Sequence, residues 1–77
     1  MNLTIEEKRF ILSFKSLALA LKERLEDIER IEQDIAKGKL VERNELEWAK
    51  LDAQYAVVDL EEAKEHKLYP KLKVDIE

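Results

Sequence analysis

Residues 37–44, Lys-Gly-Lys-Leu-Val-Glu-Arg-Asn, form the only break in helix-forming sequence before Pro70. Gly38, the one glycine of the chain, follows a long helical pattern at the position where a left-handed C-cap is expected. Asn44 precedes Glu47 by three residues, as an N-cap precedes the acid of a capping box. One helix therefore ends and another begins within this stretch, which predicts an antiparallel helical hairpin.

The predicted fold is all-α, with residues 1–77 forming a single hairpin domain. Thr4 and Glu7 make a second capping box, so the first helix is expected over about residues 5–37. A turn at about 38–43 leads to a second helix over about 44–67, and an extended tail follows over about 68–77. Pro70 marks that last boundary because proline pushes the preceding residue toward extended backbone.

The tail alternates Leu72, Val74 and Ile76 with charged residues, which is the period of a β-strand. No other segment predicts a strand, so this one would have no partner within the chain. Three alternatives stay open. The tail pairs with another molecule's sheet or across a dimer axis, folds back over the start of the first helix, or is disordered.

The chain has 77 residues, no cysteine and one histidine. A core of this size supplies only about 3–5 kcal/mol, and neither disulfides nor a metal can add to it here. Self-association or a partner protein is the remaining source of stability. We therefore expect a homodimer that completes a four-helix bundle, and binding to another protein.

The charges are dispersed and acidic on balance. Eighteen acids against 14 lysines and arginines give a net charge of −4, and the basic residues do not form the single stripe that phosphate backbones require. Direct contact with nucleic acid is thus disfavoured. The apolar run at 10–21 is shorter than the roughly 20 residues of a membrane span, so we expect a cytoplasmic protein without membrane contact.

The first helix carries a seam of large residues with the 4-3 spacing of a coiled coil. Its members are Phe10, Phe14, Leu17, Leu21, Arg24, Ile28, Ile31 and Ile35. Ile11, Leu12, Ala18 and Leu19 add apolar surface well outside the seam. Together, Phe10, Ile11 and Leu12 are predicted to form a patch that the tail or another molecule covers.

The second helix carries two seams that point about 150° apart. The first is rich in alanine and comprises Leu46, Ala49, Ala53, Ala56, Leu60 and Ala63. The second comprises Trp48, Leu51, Tyr55 and Val58. One neighbouring helix can cover only one seam, and aromatic residues are enriched at binding hot spots, so the second seam is the predicted partner-binding site. In the alternative interpretation the Trp48 seam is the core and the alanines are exposed.

Nothing in the sequence indicates a catalytic, cofactor or metal site. The Glu-x-x-His motif of di-iron bundles fails because Ala63 stands three residues before His66. Ser13 and Ser16 have no nearby histidine or cysteine, and one glycine cannot make a phosphate loop. We expect a protein that is not an enzyme, in which His66 acts as a cation at the end of the second helix.

Two segments resemble the helical hairpin of lambda-type phage terminase small subunits. They are Ile35-Ala36-Lys37-Gly38-Lys39-Leu40-Val41-Glu42-Arg43-Asn44-Glu45-Leu46-Glu47 and Leu68-Tyr69-Pro70-Lys71-Leu72, and the resemblance covers about residues 28–72. It implies a hairpin that serves assembly in phage DNA packaging. The family's separate helix-turn-helix domain has no counterpart in these residues, which puts DNA binding in doubt.

The predicted function is that of a small protein-binding module, an accessory subunit or inhibitor of a larger machine, encoded by a phage. The alternative is a structural component that oligomerises during phage assembly or DNA packaging.

Overall fold

A computed structural model describes residues 2–72, which contain two long helices and one short one. They are α1 (Ile5–Ala36), α2 (Glu45–Lys64) and α3 (Leu68–Leu72). Leu60, near the end of α2, packs on Phe14, near the start of α1, so the two long helices run antiparallel. The all-α prediction is confirmed for residues 2–72, where the two long helices pack together and no strand occurs.

Both ends of α1 follow the sequence prediction. The backbone N–H of Thr4 donates to Glu7 Oε1 at 2.9 Å, and the N–H of Glu7 donates to Thr4 Oγ1 at 3.1 Å. At the other end Gly38 has φ +79°, and the N–H of Lys39 donates to the carbonyl of Asp34 at 3.0 Å. This pattern is a Schellman motif, which explains why the chain turns where it does.

The start of α2 differs from the prediction. Asn44 makes no side-chain capping hydrogen bond and has φ −97° and ψ −1°, whereas an N-cap requires extended backbone. The N–H of Glu45 already donates to the carbonyl of Glu42 at 3.0 Å, so the chain is turning before Asn44 can cap. The predicted capping box at Asn44 and Glu47 is wrong.

The core lies between α1 and the alanine-rich seam of α2. Phe14 is completely buried and packs with Ala18 and Leu60. Ala53 and Ala56 are also buried, and such small side chains let two helices approach closely. The alternative interpretation, with Trp48 in the core, is therefore wrong, because 64% of Trp48 is exposed.

The predicted extended tail is wrong for residues 68–72, which form α3, and α2 ends at Lys64 rather than near residue 67. Pro70 is the third residue of α3 and lies within its first turn. The N–H groups of a first turn have no acceptor within the helix, so the N–H that proline lacks is not needed there. The N–H of Tyr69 donates to the carbonyl of His66 at 3.0 Å and so begins this turn. Most of the predicted strand, residues 73–77, lies outside the described residues.

Candidate interaction surfaces

The four residues of the predicted partner-binding seam form an exposed face of α2, here called the α2 stripe. They are Trp48, Leu51, Tyr55 and Val58, with exposed fractions of 64%, 43%, 71% and 49%. Tyr55 stands two residues after the buried Ala53, a rotation of about 200° around the helix. The α2 stripe therefore points away from α1.

Acidic side chains border the α2 stripe on both sides. Glu45, Asp52 and Asp59 recur every seven residues along one side, and Glu47 and Glu61 lie along the other. All five are exposed. The α2 helix contains six acids and two lysines. The stripe is thus an apolar surface with a negative rim.

The predicted patch of Phe10, Ile11 and Leu12 is not one exposed surface. Phe10 is half-buried, with its ring 4.8 Å from the His66 ring and 6.0 Å from the Phe14 ring. Ile11 is half-buried as well, whereas 66% of Leu12 is exposed. Of the three residues, only Leu12 is fully available to another molecule.

Leu12 belongs to a different surface, here called the α1 line. The sequence marks Leu12 and Leu19 as extra apolar surface, but their alignment with Ile5 was missed. Ile5, Leu12 and Leu19 recur every seven residues and are 64%, 66% and 56% exposed. Their spacing places them along one side of the helix, and this repeat was the signal that could have revealed them. Leu12 and the buried Phe14 are two residues apart, so the α1 line faces away from α2.

The short helix α3 packs against both α1 and α2, near the start of α1. Leu68 is buried, and the Tyr69 ring stacks on Phe14 with centroids 5.1 Å apart. Lys71 Nζ lies 3.3 Å from Glu7 Oε2. The fold-back alternative for the tail is therefore confirmed for residues 68–72, with helical rather than extended backbone.

Glu7 connects α3 to the N-terminus of α1. Its side chain is only 10% exposed, and its carboxylate receives the Thr4 N–H as well as the Lys71 ammonium. The hydrogen bond from the Thr4 backbone, helped by the Thr4 side chain and Lys71, holds the pKa of Glu7 below its usual value, although burial opposes this shift. The ionised carboxylate is consequently the form that stabilises this end of the hairpin.

We expect Glu7→Gln to reduce the stability lost on acidification. A carboxylate with a depressed pKa contributes its stabilisation above the pKa of the unfolded chain, and the contribution disappears as the pH falls through the folded-state pKa. Urea unfolding of both proteins from pH 7 to pH 3 measures this. The wild type should be the more stable at pH 7, and the two curves should converge in acid. A constant difference across the range would show that ionisation of Glu7 is irrelevant.

His66 has a packing role that the sequence did not predict. Its ring stacks on Phe10 at an angle of 27°, and its Nδ1 accepts a hydrogen bond from the N–H of Leu68 at 3.1 Å. An acceptor nitrogen must carry a lone pair, which a doubly protonated imidazolium lacks. The interpretation of His66 as a helix-terminal cation therefore does not describe this contact.

Within residues 2–72 no cluster of three histidine, cysteine, aspartate or glutamate side chains could hold a metal ion. None of the helices described for residues 2–72 has the length and apolar character needed to cross a membrane. Comparison with protein-family models, with curated proteins and with solved structures finds no match to the chain. The two exposed apolar surfaces are the features of residues 2–72 that point to a function.

Proposed function

We propose that this chain is a non-enzymatic protein-binding module that acts through the α2 stripe. One observation carries the proposal: four large apolar side chains, including the only tryptophan, lie exposed on the face of α2 opposite the core. Large exposed apolar patches usually mark sites of interaction. The module, encoded by a phage, would serve as an accessory subunit or an inhibitor of a larger protein machine in the cytoplasm.

The free energy of burying apolar side chains favours a partner that covers the α2 stripe. Full burial of a large apolar side chain stabilises by roughly 1.5–3 kcal/mol relative to exposure. Trp48 and Tyr55 are each more than 60% exposed in the single chain, so most of this stabilisation is still available to a partner. Both are of the types that dominate binding energy at interfaces.

The rim defines the chemistry of the partner. Exposed acids on both sides of the α2 stripe favour a partner surface whose apolar centre is bordered by lysine or arginine. A phosphate backbone would meet repulsion there, so the proposed partner is a protein rather than a nucleic acid.

A second candidate function is structural oligomerisation in phage assembly or DNA packaging. The observation that favours it is the α1 line, a second exposed apolar surface on the opposite side of the hairpin. Two such surfaces on one small chain suit a subunit with neighbours on both sides. The resemblance to terminase small subunits supports this candidate, and a dimeric four-helix bundle would be its smallest form.

The double variant Trp48→Ala, Tyr55→Ala tests the proposed site. Because both side chains are exposed, the helix content measured by circular dichroism should be unchanged. Proteins that copurify in stoichiometric amount with the tagged wild type, further copies of the chain included, should be lost from the variant.

The matched control is Leu40→Ala, Val57→Ala, which also removes two exposed apolar side chains but leaves the stripe intact. It should retain every protein that the wild type binds. If the Trp48→Ala, Tyr55→Ala variant unfolds, the stripe is core; if it binds as the wild type does, the site lies elsewhere.

A further inference from the structure

The α1 line is bordered by basic residues with its own seven-residue period. Lys8, Lys15 and Lys22 follow Ile5, Leu12 and Leu19 by three positions each, so every lysine lies beside an apolar member of the line. All three lysines are exposed. No salt bridge within residues 2–72 involves any of them.

The α2 stripe has the complementary arrangement. Trp48 and Tyr55 are seven residues apart, as are Leu51 and Val58, and the acids Glu45, Asp52 and Asp59 repeat with the same interval. None of these three acids has a salt-bridge partner in the described part of the chain either. Apolar seams flanked by charges at heptad spacing are how paired helices select their partners.

One molecule cannot bring its own two surfaces together. Each lies on the side of its helix that faces away from the other helix, so the hairpin separates them. From Ile5 to Leu19 the α1 line extends about 21 Å, and from Trp48 to Val58 the α2 stripe extends about 15 Å, at ~1.5 Å per residue. The two surfaces share a seven-residue period, are bordered by charges of opposite sign, and the α2 stripe is short enough to lie along the α1 line, but they can meet only between two molecules.

We propose that the occupant of the α2 stripe is the α1 line of a second copy of this chain. In this contact Leu12 and Leu19 of one molecule pack against Trp48 and Tyr55 of the next, and the lysine row faces the acidic rim. The inference rests on the proposed function, because it names the partner of the same stripe.

The charges favour this arrangement over a symmetric dimer formed through α2. Two α2 stripes placed face to face would oppose acidic rims with acidic rims, and like charges across an interface are unfavourable. The α1–α2 contact instead pairs opposite charges. It is a head-to-tail contact, which leaves one free surface at each end and so continues into a ring or an open chain of subunits.

Two variants, each of which lacks one of the two surfaces, test the inference through the mass measured by light scattering. Leu12→Glu, Leu19→Glu disables the α1 line, and Trp48→Ala, Tyr55→Ala disables the α2 stripe. The wild type should exceed the 9.1 kDa monomer and grow in mass with concentration. Each variant alone should remain a monomer. An equimolar mixture should form a one-to-one pair of about 18 kDa, because each variant supplies the surface that the other lacks.

The other outcomes would overturn the inference. Self-association of the Leu12→Glu, Leu19→Glu variant would indicate an α2–α2 contact, and self-association of the Trp48→Ala, Tyr55→Ala variant would indicate an α1–α1 contact. A wild type that is monomeric at all concentrations would exclude a second copy as the occupant. The proposed function would survive that last result if copurifying proteins still depended on Trp48 and Tyr55.

The lysines have a separate test. Reversal of all three, Lys8→Glu, Lys15→Glu and Lys22→Glu, should weaken wild-type assembly by about tenfold at low salt and by less at high salt, because exposed pairs are screened. Folding is the control, since the lysines are exposed and helix content should not change. Unchanged assembly at low salt would overturn the role given to charge in selecting the second copy.

Discussion

The Phe14→Ala substitution is expected to leave a large fraction of the molecules unfolded at room temperature. Phe14 is the only completely buried large side chain described. It packs with Ala18 of its own helix, with Leu60 of α2 and with Tyr69 of α3. Removing a buried phenylalanine costs about 3–5 kcal/mol, through lost burial and the cavity that remains. A chain of this size has about that much stability in total.

Urea unfolding followed by circular dichroism measures the effect at a dilution that keeps the chain monomeric. The matched control is Leu25→Ala, which removes a large apolar side chain from the same helix at a position that is 53% exposed. The control should keep a cooperative transition with a small loss of stability. A Phe14→Ala protein with the same midpoint as the wild type would place the core elsewhere.

Enlargement of Ala53 to leucine is the second large expected effect. Ala53 is 6% exposed on the face of α2 that meets α1, and the close approach of the helices depends on small side chains there. Extra methyl groups in a packed interface typically destabilise by about 1–3 kcal/mol. Leucine is nearly as good a helix former as alanine, so a loss of stability reports packing rather than propensity.

Thermal and urea unfolding of Ala53→Leu, compared with Val57→Leu, separates these effects. Val57 is 39% exposed, so its enlargement should change stability by less than about 0.5 kcal/mol. Equal stability of the two variants would mean that the alanine-rich face is not a close helix contact. The identification of the α2 stripe as the face that points away from α1 would then also be wrong.

Local signals in the sequence located the ends of α1 because each depends on a few neighbouring residues. Thr4 and Glu7 cap each other within one turn, and Gly38 adopts the left-handed conformation that other residues avoid. The same logic failed at Asn44, where the preceding turn sets the backbone before the side chain can act. A cap motif in the sequence does not reveal the backbone conformation that it needs.

Tertiary choices were harder to predict. The sequence showed that α2 has two seams but could not decide which meets α1, since that depends on how closely two helices approach. It also grouped Phe10 with Leu12, although two residues along a helix is about 200° of rotation. The stacking of His66 on Phe10 and of Tyr69 on Phe14 depends on the fold-back of α3, which the alternating pattern after Pro70 concealed.

The fluorescence of Trp48 tests the central claim most directly, because Trp48 is the only tryptophan and belongs to the proposed contact. Its emission and its quenching by acrylamide would be followed from nanomolar to high micromolar concentration of the pure chain. If the α2 stripe is exposed in the monomer and covered by a second copy in the assembly, the dilute protein should show long-wavelength emission and efficient quenching. A shift to shorter wavelength with protection should follow as the mass rises. Emission and quenching that stay the same while the chain associates would contradict it.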